Sequence, residues 1–275
     1  MLQKVSYLTN IKMRKLFQAY PNISRLILGA LLIGLSLIIS GFINIAHLGE
    51  YFPFVGTTLV VIATWFMYRT ENKNLSELGF DLKKRNLLFL PVGLILGILS
   101  FLIDFYAGVL VRGGQWHINH NINYSTLLLH LYWVLPTTAV QQFIVTGYCF
   151  KKTIEMSNRT VAIIVFGLLF IAMHDFWNGN IVEILFYTSC IFIGYLLFST
   201  ALLKSGTIYF AIGIHWGNNF ANSNLFTAGQ RDTSLLFTSN QHTGVMSWTQ
   251  ISLLFLSLNI GALILTFIIW KWKTN

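Results

Sequence analysis

Acidic side chains are scarce in this sequence. Nine Asp and Glu stand among 275 residues, and charged residues of both signs make up only 10%. A water-soluble domain carries about 25%, so a soluble globular protein is set aside at the outset. Cysteine is nearly absent as well. Cys149 and Cys190 form no CxxC pair, which suggests neither a disulfide framework nor a thiolate metal site and makes both thiols small buried hydrophobes. No internal repeat or low-complexity segment is visible. A cleavable leader is not expected, because the stretch before the first apolar run is long and polar and no small-residue cleavage site follows that run.

What the chain does have is apolar surface: 55% of its residues are hydrophobic and its mean hydropathy is +0.65. Runs of about 20 apolar residues can cross a hydrocarbon core of about 30 Å. Eight such spans are expected, at 26–46, 52–68, 87–110, 126–150, 160–177, 181–203, 207–221 and 249–270. The predicted fold is all-α: one polytopic membrane domain over residues 1–275 with no soluble appendage. "ENKNLSELGFDLKKRN" reads as a connector with a short interfacial helix. "VRGGQWHINHNINYS" and the longer "NSNLFTAGQRDTSLLFTSNQHTGVMSW" read as outer loops, the second long enough to be functional or disordered.

The net charge of +9 would fit a nucleic-acid partner, but its placement argues otherwise. On the eight-span reading, 16 of the 18 basic residues fall on one side and only Arg112 and Arg231 on the other. The positive-inside rule then puts both termini in the cytoplasm. The expected partners are membrane lipid, anionic lipid included, and no nucleic acid.

Polar side chains inside spans are costly and functional by default. Three groups stand out. The fourth span carries Gln141, Gln142 and Thr146; the fifth ends in "FIAMHDFWNGN", with Phe170 and His174; the seventh holds "IGIHWGNNF", with His215 and Asn219. A spacing of four puts two side chains on one helix face. At 1.5 Å of rise per residue, Gln141 lies about 14 Å, His215 about 12 Å and His174 about 21 Å from the cytoplasmic ends of their spans. The three groups thus fall in one layer and are expected to share a pocket. The competing reading is that each merely hydrogen-bonds a neighbouring helix.

The order Phe-x-x-x-His, then His-x-x-x-Asn, in the context "LLKSGTIYFAIGIHWGNNF", resembles the CAAX-protease and bacteriocin-processing (CPBP, or ABI) intramembrane proteins, to which the prenyl-protein CAAX endopeptidases belong. The similarity runs over about residues 126–221 and implies an eight-helix bundle. The family's first motif is Glu-Glu-x-x-x-Arg. Here Gln141, Gln142 and Thr146 stand in those places, and "GYCFKK" follows as in the family. The resemblance implies that Gln141, Gln142, His174, His215 and Asn219 occupy the catalytic positions, with Thr146 and Phe170 beside them.

The implied chemistry is peptide hydrolysis in which a glutamate activates water. Glutamine takes no proton at neutral pH, and a general base contributes about 10²–10⁴-fold. Asp104, Asp175, Glu183 and Cys149 are weighed as substitutes. Metal is not expected, since two histidines and neutral amides make a weak zinc set; if zinc binds at all, His174 and His215 are its ligands. Three readings stay open. The favoured one is a non-catalytic binding or regulatory protein, acting on a membrane-embedded or secreted protein or peptide or giving bacteriocin immunity. The second is an endopeptidase with an atypical base, using His174, His215 and Asn219. The third is a solute transporter. The expected location is a bacterial plasma membrane.

Overall fold

The computed structural model describes residues 19–45, 52–176, 178–239 and 247–272. Lys4, Lys12, Arg14, Lys15 and Lys273, which enter the charge argument, lie outside them, as do the ends of the first and fifth spans at Ala46 and Trp177. The described chain is mostly helical. In order come α1 (Pro21–Ile45), α2 (Val55–Arg69), α3 (Lys84–Arg112), α4 (Tyr124–Val145), α5 (Tyr148–Met156), α6 (Arg159–Ala172), α7 (Ile181–Ser205), α8 (Ile208–Phe220), α9 (Trp248–Ser257) and α10 (Ile260–Lys271).

Local sequence sets the starts. The side chains of Asn123, Asn158, Asn180 and Ser247 accept amide hydrogens in the first turns of α4, α6, α7 and α9, which satisfies donors that a helix start leaves orphaned. The connector holds one short helical turn, Leu75–Leu78. It ends on Gly79 at φ +60, whose carbonyl receives the Thr207 hydroxyl at 3.0 Å.

The eight-span expectation is met only in part. Helices α1, α3 and α7 are long and apolar enough to cross a membrane, and α9 with α10 forms a fourth candidate bent by 45°. Helices α2 and α6 are apolar but have only 15 and 14 residues. The expected fourth span is broken at Thr146 and Gly147, between α4 and α5. Thr146 gives both its amide and its hydroxyl to the Gln142 carbonyl, each at 2.8 Å, and a side chain in this class competes with the helix ladder.

The all-α expectation also needs correcting. Strands Gln115–Ile118 (β1), Phe226–Ala228 (β2) and Leu236–Ser239 (β3) form a small sheet in the order β1-β3-β2. The first pair is antiparallel and the second parallel. The two segments read as outer loops therefore pair with each other. Buried Asn119 ties them: its Nδ2 donates to the Arg231 carbonyl at 2.9 Å and its Oδ1 accepts from Gln230 at 2.8 Å. Strands of three and four residues are too short to show an alternation in sequence.

The centre of the bundle is the crossing of α3 and α8, where glycine faces backbone. A β-carbon on Gly97 would lie 2.2 Å from the Ile214 carbonyl oxygen, and one on Gly217 would lie 2.1 Å from that of Leu94. Gly93 and Gly213 repeat the arrangement one turn away, at 2.8 and 2.3 Å from the Phe210 and Leu90 oxygens. Lipid tails are as apolar as leucine, so helices in a membrane gain by this close approach.

At the opposite end from the sheet, α5 closes onto the turn after α2. Buried Lys152 lies 2.6 Å from Glu71 and 2.6 Å from Glu155, and the Tyr148 hydroxyl donates to Glu71. Burial pushes both carboxyls up, but the Lys152 hydrogen bonds, together with the Tyr148 hydroxyl on Glu71 and the positive charge of Lys152 and Lys73 beside Glu155, hold them below their ordinary 4.5.

Two outcomes are expected. Gly97→Ala or Gly217→Ala should lower the melting temperature in detergent by an amount equivalent to about 1–3 kcal/mol. Gly34→Ala, which meets nothing within 4 Å, should change it little. For the charged cluster, a carboxyl depressed in the folded state stabilises above its unfolded pKa and loses that stabilisation as pH falls through the folded one. Lys152→Met is therefore expected to move acid unfolding, followed by circular dichroism, to higher pH and to cost about 3 kcal/mol at neutral pH.

Candidate functional site

His215 is carried on α8, on the helix whose glycines press against α3, and is only 2% exposed. Both of its ring nitrogens are engaged by amides. Gln142 Nε2 lies 2.9 Å from Nδ1 and Asn219 Nδ2 lies 3.0 Å from Nε2. Gln142 and Thr146 have no exposed surface, and the Thr146 hydroxyl lies 3.2 Å from Gln142 Oε1. The spacing of four thus brings Asn219 under His215 and Thr146 under Gln142.

The protonation pattern of this chain is constrained. A neutral imidazole has one donor nitrogen and one acceptor, so only one of the two amide nitrogens can donate to the ring, and the other amide satisfies it only when turned to present its oxygen. An imidazolium would need two acceptors, and no carboxylate stands beside the ring among the described residues. The neutral form suits the enclosed, uncharged surroundings.

Aromatic rings fix the histidine's plane. Phe198 stacks on His215 with centroids 4.5 Å apart, and Phe170 meets it edge-on at 5.6 Å. Phe198 was not singled out from sequence. An aromatic residue within an apolar span carries no signal of its own there. His130 was missed too: its Nδ1 lies 2.6 Å from Asn224 Oδ1. The asparagine-rich run "GNNFANSN" was the available clue.

His174 does not sit where a continuous helix would put it. Helix α6 ends at Ala172, and the His174 amide closes a tight turn to the Ile171 carbonyl at 3.1 Å. The depth counted along an unbroken helix therefore does not apply. Its Nδ1 lies 2.7 Å from the Phe170 carbonyl. A carbonyl only accepts, so Nδ1 carries a hydrogen, and in the neutral ring Nε2 holds the lone pair. That nitrogen has no hydrogen-bond partner among the described residues. The ring packs edge-on against Phe170 at 4.7 Å, so one phenyl ring touches both histidines.

Gln141 stands apart. It is half-buried and makes no side-chain hydrogen bond among the described residues. The substitute bases lie elsewhere. Asp104 is buried against Gly261 at the start of α10. Glu183 is exposed and closes a capping box with Asn180 at the start of α7. Asp175 is exposed beside His174. None of the three makes an ion pair or side-chain hydrogen bond with His174 or His215 among the described residues. Cys149 is buried in α5, where a β-carbon on Gly29 of α1 would lie 3.2 Å from its sulfur. Among the described residues no three His, Cys, Asp or Glu side chains gather as a metal-binding group, and the two amides on His215 occupy the nitrogens a metal would need. The donor set does not suit zinc.

Residues 121–221 match the family model described as type II CAAX prenyl endopeptidase Rce1-like, the family whose motifs this segment resembles. The match takes in Gln141, Gln142, Thr146, Phe170, His174, His215 and Asn219. No curated protein and no solved structure matches the chain.

Removing the Gln142 amide leaves a His215 nitrogen unpaired in a closed site. Gln142→Leu is expected to cost about 1–3 kcal/mol, whereas Gln141→Leu should stay within about 0.5 kcal/mol. Thermal unfolding of the two purified variants in detergent checks this.

Proposed function

We propose that this CAAX-protease-like membrane protein is a non-catalytic binding or regulatory protein, a protease fold whose catalytic positions serve to hold it together. The observation that carries the reading is the engagement of both His215 nitrogens by the Gln142 and Asn219 amides. A water-activating glutamate at position 142 would accept a proton; the amide cannot. The arginine that would balance buried carboxylates is also missing, and Thr146 occupies its place. Removing both signs together avoids the uncompensated charge that loss of one partner would leave.

In this reading all eight apolar segments cross the plasma membrane of a bacterium, with both termini in the cytoplasm. The partner is a membrane-embedded or secreted protein or peptide, and regulation of such a partner or immunity to a bacteriocin is the role. No metal takes part. Zinc at this site would require donors that the amides have replaced.

A second reading keeps one supporting feature. His174 Nε2 holds an unshared lone pair in a half-buried position, the property an atypical base would need in an endopeptidase. Comparative proteomics of native-host membranes separates the two. The strains compared would carry the intact gene, no gene, or His174→Ala or His215→Ala in its place. A partner retained by the His174→Ala protein, with no peptide terminus dependent on either histidine, is the expected result. A new terminus that requires both histidines would establish the endopeptidase instead.

A further inference from the structure

We propose that Asp104 is a proton-binding site within the membrane, occupied by a proton at neutral pH and separate from the His215 cluster. Asp104 lies in α3, six residues from the helix midpoint at Ile98, or about 9 Å along the axis. That places it inside a hydrocarbon core of about 30 Å, in the half nearer the sheet. Its side chain is 3% exposed.

The bend in the last candidate span makes the site. In a continuous helix the Gly261 amide would pair with the carbonyl four residues earlier. The 45° break between α9 and α10 releases it, and it donates to Asp104 Oδ1 at 2.7 Å. Nothing larger than glycine fits there, because a β-carbon on Gly261 would lie 1.9 Å from the Ser100 carbonyl oxygen. The backbone of α10 is thereby brought onto the carboxyl. Oδ2 has no hydrogen-bond partner among the described residues.

The neighbouring polar groups supply no positive charge. Ser100 of α3 bonds the Gly97 carbonyl, Ser257 of α9 bonds the Leu254 carbonyl, and both are buried. Asn259 at the break donates to Cys190 of α7 at 3.1 Å and to the Phe255 carbonyl at 2.7 Å. Cys190 is the titratable group facing this region from α7. Arg112, the cation at the end of α3, is eight residues further on and forms no ion pair with Asp104. One amide and the start of one helix favour the anion. Burial of an unpaired carboxylate in hydrocarbon opposes it more strongly. The acid form meets both demands, since Oδ1 still accepts from Gly261 and Oδ2 carries the proton.

The test uses a hydrophobic carbodiimide, dicyclohexylcarbodiimide, on native membranes containing the full chain. The reagent takes the acid's proton on one of its nitrogens while the carboxyl oxygen adds to its central carbon, so only the protonated acid reacts and nothing leaves. Peptide mass spectrometry at neutral pH in potassium buffer should find Asp104 carrying one reagent mass. Labelling should fall in alkaline buffer and should be absent with a water-soluble carbodiimide. Asp104→Asn keeps the Oδ1 acceptor and is neutral, so it should melt at the wild-type temperature. An unlabelled Asp104 in a detected peptide would overturn the proposal, as would a large fall in melting temperature for Asp104→Asn. Protection of Asp104 by sodium but not potassium would also overturn it, by identifying a metal-cation site. These outcomes concern α3 and α10 alone and leave the reading of the His215 cluster untouched.

Discussion

The bundle depends on one contact, the crossing of α3 and α8 at glycine. Gly93 and Gly97 on one helix and Gly213 and Gly217 on the other leave no room for a β-carbon on either side. Each helix then rests on the other's carbonyl groups, which packs α8 too closely to slide or turn. His215 is carried between Gly213 and Gly217 on that same helix, so its direction is set by backbone contact rather than by side-chain packing alone. The helix is further held where the Trp216 indole donates to the Leu131 carbonyl at 2.8 Å, linking α8 to α4. With α8 placed and α4 tied to it, Gln142 meets His215 at hydrogen-bond distance.

The site built on this contact is neutral throughout. A glutamine, an asparagine, a threonine and an uncharged imidazole share a small set of hydrogen bonds within a shell of Phe170 and Phe198. In a low-dielectric interior a satisfied network of this kind rigidifies, and an incomplete one is costly. Charge is found instead at the opposite end from the sheet, where Lys152 lies between Glu71 and Glu155. There water and Lys73, which also approaches both carboxylates, share the burden of burial.

Much of the site was legible because membrane burial makes polar side chains conspicuous. Gln142, Thr146, His215 and Asn219 stood out against apolar runs, and a spacing of four placed them correctly in pairs. Gln141 could not be separated from Gln142 in the same way. Adjacent residues on a helix point about 100° apart, and which of them faces the neighbour depends on where that neighbour lies. His174 was placed on a helix that ends two residues before it. A helix end without proline or glycine leaves little trace in sequence, and the ring's own bond to the Phe170 carbonyl is what stabilises the turn. The glycine pairs on α3 and α8 were readable as small-xxx-small spacing but were passed over beside the more visible polar residues.

By itself the sequence determined that the chain is a helical membrane protein and which polar groups must find partners in the bilayer. Those properties follow from composition and from periodicity along a single helix. Only the tertiary structure decided that the fourth apolar run breaks at Thr146, that the segments around Gln115 and Leu236 form a sheet, and that Asp104 meets the start of α10 rather than a histidine. Each of these depends on which surfaces come together across long stretches of chain. Side-chain chemistry restricts such pairings, but it does not specify them until the backbones are packed.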